Sequence, residues 1–100
     1  MSSIDSIRQQ VEWCVKKFAA SAGHNADQLD DQTDLARGLG LSSDEGLDLV
    51  LDLCEVFGFD FPRDFNPVVH ESGRRGRRMG ELILKVEQML SGKEVTHGTN

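Results

Sequence analysis

Few side chains in this 100-residue chain are typed and spaced for chemistry, and the most suggestive of them is a hydroxyl. Ser42 and Ser43 stand at the entry of the most apolar run, Leu47-Asp48-Leu49-Val50-Leu51, with Asp44 and Glu45 just behind them. The histidines offer less. His24, His70 and His97 share no helical turn and have no partner at metal or catalytic spacing, so surface positions are expected for all three. Cys14 and Cys54 fall inside apolar helical patterns, where a free thiol behaves as a small hydrophobe. No nucleophile elbow, phosphate-binding glycine loop or metal motif is present, and Gly38-Leu39-Gly40 follows no strand, which makes it a turn. Arg74, Arg75, Arg77 and Arg78 make a basic knot with two readings, a solvated linker or a contact for a phosphate group or an acidic partner. Without interleaved aromatics it is a poor nucleic-acid signature.

The elements that must position these groups read as helices. Ile4, Ile7, Val11, Cys14, Val15 and Phe18 form an amphipathic stripe over residues 3–20, and Gly23 and Asn25 follow as stop signals. Residues 21–42 read as a long connection, pinned by Leu29, Leu35, Leu39 and Leu41, with Thr33 or Asp34 able to cap one turn. Ser42-Ser43-Asp44-Glu45 has the form of a capping box, with Ser42 as N-cap and Glu45 at the third helical position. Behind it Leu47, Val50, Leu51, Cys54 and Phe57 make one stripe, widened by Leu49, Leu53 and Val56, and Gly58 ends the helix. Leu47, Val50, Leu51, Val68, Val69 and Ile83 are expected to line the interior. That lining reads either as plain core or as a lipid pocket. Phe57-Gly58-Phe59-Asp60-Phe61 reads as an extended turn that drops rings into the core. Asn66-Pro67 predicts a short third helix through Ser72, closed by Gly73. Met79, Leu82, Ile83, Val86, Met89 and Leu90 predict a last helix over residues 78–91. The expected fold is all-α: one helical bundle over residues 1–91, with three longer helices, one short helix and a long first loop. Residues 92–100 are expected to be a mobile tail.

Gly38-Leu39-Gly40-Leu41-Ser42-Ser43 followed by Leu47-Asp48-Leu49-Val50-Leu51 resembles the acyl carrier protein family without a gap. Thr33-Asp34-Leu35 resembles the family's approach to this region, and Phe57 and Pro62 fall where the family has a phenylalanine and a proline. The likeness spans about residues 4–90, loosely at Met79-Gly80-Glu81-Leu82-Ile83. It implies an acyl-carrier-like four-helix bundle. It also implies that Ser43 bears a 4′-phosphopantetheine arm, whose terminal thiol carries an acyl thioester for fatty-acid, lipid or polyketide synthesis. With Ser42 capping, Ser43 is the first helical residue, and its phosphodiester would sit at the positive end of the helix dipole. Asp44, Glu45, Asp48, Asp52 and Glu55 would then meet basic patches on a phosphopantetheinyl transferase and on acyl-handling enzymes. Arg74, Arg75, Arg77 and Arg78 are further candidates for partner contacts. Where the family reads Asp-Ser-Leu, this chain reads Ser42-Ser43-Asp44, which sets a charge where an apolar residue normally follows the serine. The capping box by itself accounts for both serines. The alternative is therefore an unmodified carrier-like domain acting as a protein–protein interaction module, as in a related group of uncharacterised bacterial domains that frequently lack the serine.

Composition agrees with a protein-binding domain. The formal net charge is −6, with 28% charged and 38% hydrophobic residues. Residues 1–62 hold four basic and twelve acidic side chains, residues 63–100 seven basic and five acidic ones. An acidic face repels nucleic acid and membrane surfaces and favours basic partners. No apolar run reaches bilayer length and the N-terminus lacks signal-peptide features, so a cytoplasmic monomer is expected, with no resident metal and no turnover of its own.

Overall fold

The computed structural model describes residues 3–62 and 64–92. Three helices form among them: α1 (Ser3–Ser21), α2 (Ser43–Phe57) and α3 (Met79–Leu90). The first buries Val11, Cys14, Val15 and Ala19, spaced three and four apart as one helical face requires. It ends where Gly23 turns to φ +86° and the His24 N–H reaches back to the Ala19 carbonyl at 2.8 Å. Helix α1 packs against both α2 and α3. It is the central element of the core.

The long connection between α1 and α2 is ordered by burial and by Asp34. Leu35, Leu39 and Leu41 are buried, and Leu29 packs against them. One Asp34 oxygen accepts the N–H groups of Ala36 and Arg37 at 2.8 and 2.9 Å, so Asp34 caps the single turn that follows. The Leu35 N–H donates to the Arg77 carbonyl and the Met79 N–H to the Thr33 carbonyl, both at 2.9 Å. These bonds tie the loop to the entry of α3.

The aromatic turn forms in part: Phe57 closes α2, Gly58 turns left-handed, and of the three rings Phe61 is buried while Phe57 and Phe59 are half-buried. Phe59 and Phe61 meet edge-to-face at 4.8 Å, and Phe61 and Phe65 lie 5.8 Å apart. The short helix expected over Pro67–Ser72 does not form. Residues 68–77 instead make a hairpin-like loop, with a Val69–Gly76 antiparallel bridge. The His70 N–H donates to the Arg75 carbonyl at 3.0 Å and the Arg77 N–H to the Val68 carbonyl at 2.7 Å. The carbonyls of Asn66 and Val69 accept from the Arg77 side chain. With those groups committed across the loop, the i to i+4 ladder of a helix has no partners left. The β-branched pair Val68-Val69 also suits extended backbone. The described bundle thus has three helices, not four.

Helix α3 buries Met79, Leu82, Ile83 and Val86. The sequence places it within a residue of its observed ends. Residues 93–100 of the expected tail, His97 among them, lie outside the described residues. No helix among the described residues is long and apolar enough to cross a membrane.

Candidate functional site

The start of α2 is built as its sequence indicates. Ser42 is extended (φ −86°, ψ 167°) and its hydroxyl accepts the Glu45 N–H at 3.0 Å. Glu45 returns a carboxylate oxygen to the Ser42 N–H at 2.9 Å. A third group completes this cap: His24 Nε2 lies 3.2 Å from both oxygens of Glu45. The Glu45 carboxyl is held below its usual range, first by the Ser42 N–H and then by His24. The surface position expected for His24 is therefore only half the account, since it packs on the capping box. Nothing local in the sequence signals a contact across 21 residues.

Because Ser42 does the capping, the hydroxyl of Ser43 is left exposed at the first helical position. The Ser43 carbonyl accepts the Asn66 Nδ2 hydrogen at 3.0 Å, and Asn66 Oδ1 accepts the Val68 N–H at 2.9 Å. Asn66 can lie this close because residue 46 is glycine: a Cβ there would overlap the Asn66 amide. The loop after α2 is thereby stapled to the helix turn that presents Ser43. The sequence offers Asn66 only as a cap for a helix that does not form.

The orientation of α2 corrects the expected lining. Gly46, Leu49 and Leu53 are buried, whereas Leu47 is 51% and Leu51 63% exposed. Val50 is half-buried, Val68 and Ile83 are interior, and Val69 is half-buried. With 3.6 residues per turn, Ser43, Leu47 and Leu51 form one row on the outside of α2, and Asp44, Asp48 and Glu55 lie beside it. Those three acids are exposed, while Glu45 and Asp52 are half-buried. Asp52 turns toward α1, where burial first and its charge second push the Cys14 thiol up to about 12. Trp13 of α1, 55% exposed with the Lys17 ammonium 4.9 Å from its ring centre, borders the same groove as Asp52 and Glu55.

The four arginines do not act as one patch. Arg74 and Arg78 are exposed. Arg75 makes a two-pronged pair with Glu81 at 2.9 and 2.8 Å, which draws that carboxyl down to about 2. Arg77 departs from the expected surface role altogether, being 3% exposed. Its guanidinium is held by the carbonyls of Asn66 and Val69, the Glu71 carboxylate and the Phe65 ring. Almost none of its surface is left for a protein partner to contact. No family model, curated protein or solved structure matches this chain.

Proposed function

We propose that this chain is a carrier domain: the Ser43 hydroxyl takes a 4′-phosphopantetheine arm, and the outside of α2 docks the enzymes that load and unload it. The observation that carries this reading is the division of labour between two adjacent serines. Ser42 satisfies the helix start, so the exposed Ser43 hydroxyl is not needed for the cap. A phosphodiester at that oxygen would lie at the positive end of α2. Ser43 is exposed, which leaves room for such a group; the charges that oppose it are Asp44, where solvent weakens the repulsion, and Glu45, which is committed to the cap. The resemblance to acyl carrier proteins between Asp34 and Pro62 supports the same role, with an acyl thioester of fatty-acid, lipid or polyketide synthesis as cargo.

The docking face combines two apolar side chains with a border of carboxylates. Leu47 and Leu51 would enter a socket on the partner, while Asp44, Asp48 and Glu55 meet its lysines or arginines and orient the encounter. Leu47 and Leu51, one turn apart and bordered by acids, make a small apolar strip, which favours a surface used in binding. The domain itself performs no turnover in this reading.

Co-expression with a broad-specificity phosphopantetheinyl transferase, followed by intact mass, tests it. The wild type and Ser42→Ala should each gain one phosphopantetheine, and Ser43→Ala should gain none. If the wild type stays unmodified, the carrier reading fails, and an interaction module using the same face of α2 takes its place.

A further inference from the structure

We infer that the cleft between the 64–77 segment and α3 is a binding site for a small carboxylate with an apolar body, which takes the place of Glu71 on Arg77 and Lys85. The cleft encloses about 430 Å³. That volume is within the usual range for small-molecule sites. Phe65, Val69 and Met89 supply apolar wall, and Arg77 and Lys85 supply charge.

Both cations are deep and their counter-ion is shallow. The side chains of Arg77 and Lys85 are 4% and 17% exposed, whereas that of Glu71 is 53% exposed. The Glu71 carboxylate lies 3.1 Å from Arg77 Nη1 and 2.7 Å from Lys85 Nζ, with His70 Nε2 at 3.6 Å. A carboxylate thus already occupies the position, and it belongs to a surface turn. Among the described residues Arg77 Nε is also buried without a hydrogen-bond partner, an expensive state for a charged donor. The other nearby acids do not fill the role. Glu81 is committed to Arg75, and Asp64 is exposed on the cleft lining, where it opposes an incoming anion only through solvent. A ligand that brings its own carboxylate and covers the apolar wall gains burial that Glu71 does not provide. Asn66 lines this cleft and also holds the Ser43 carbonyl, so cleft and attachment serine share a wall residue. The inference does not rest on the carrier reading and is tested on the unmodified chain.

The test is an amide ¹H–¹⁵N titration with sodium hexanoate, alongside hexanol as the neutral control and inorganic phosphate as an anion without an apolar body. Hexanoate should shift the amides of Phe65, Val69, Arg77, Lys85 and Met89, and both controls should bind at least about tenfold more weakly, the loss expected when the charge pairing or the apolar burial is removed. Glu71→Gln, which removes the competing carboxylate, should tighten hexanoate by about tenfold, and Lys85→Gln should weaken it by a similar factor. Equal binding of hexanol or phosphate, or unchanged affinity in Glu71→Gln, overturns the inference. Should Glu71→Gln fail to fold, undiminished affinity in Lys85→Gln overturns it alone.

Discussion

Replacing Gly46 by alanine sets helix propensity against tertiary packing, and the two predict opposite signs. In an isolated helix the change stabilises by about 1 kcal/mol. In this protein an added Cβ would overlap Asn66 Oδ1 and come within 2.8 Å of its Cγ and 3.1 Å of its Nδ2. The Asn66 side chain must swing out, losing its bonds to the Val68 N–H and the Ser43 carbonyl. Each such bond contributes about 1 kcal/mol. The expected balance for Gly46→Ala is a loss of about 1 kcal/mol, which for a domain of this size lowers the melting temperature by about 4–8 °C. In an Asn66→Ala background the obstruction and both bonds are already gone, so the same substitution should stabilise by about 1 kcal/mol. Urea unfolding followed by far-UV circular dichroism measures all four corners of this cycle, with an expected coupling of about 2 kcal/mol. A wild-type background in which Gly46→Ala stabilises, or a cycle without a change of sign, refutes the proposed staple between the loop and α2.

Three further predictions use the same assay. Leu49→Ala and Leu53→Ala, both fully buried, should each cost about 2–5 kcal/mol, while exposed Leu47→Ala and Leu51→Ala should stay within about 0.5 kcal/mol; equal losses in the two pairs would refute the orientation of α2. Glu71 and Glu81 have carboxyl values of about 2 against an ordinary 4.5, Glu71 through Lys85 first and Glu81 through Arg75 first. Depressed values in the folded state mean a stabilisation that is complete above 4.5 and lost as pH falls toward 2, so the urea midpoint should drop across that window, less steeply in Glu71→Gln and in Glu81→Gln. Ser42→Ala should cost about 1 kcal/mol through loss of the cap, and Ser43→Ala should be close to neutral; the reverse order would show that Ser43 does the capping.

What could be read before folding was whatever a few neighbouring residues decide. The capping box at Ser42, the stop at Gly58, the extents of α1 and α3 and the turn capped by Asp34 all depend on hydrogen bonds that span five residues or fewer. The aromatic turn was legible in part, because rings at alternate positions must find a core. The short helix was misjudged for a physical reason: Asn66 and Pro67 are good starting residues, but the carbonyls they would use accept from a guanidinium eleven and eight residues further on. Arg77 looked like its three neighbours because type and spacing do not distinguish a buried arginine from an exposed one.

The sequence alone determined an acidic, all-helical chain with Ser43 at the first turn of its second helix, since caps and 3.6-residue periodicity are local properties of the chain. Only tertiary structure decided which side of α2 faces inward. Apolar residues run most of the way round that helix, so periodicity permits several orientations, and contact with α1 together with the close approach of Asn66 at Gly46 selects one. That choice exposes Leu47 and Leu51, while other contacts between distant residues join His24 to Glu45 and bury Arg77 behind Glu71. These outcomes depend on groups distant in sequence meeting in space, which no window of neighbouring residues contains.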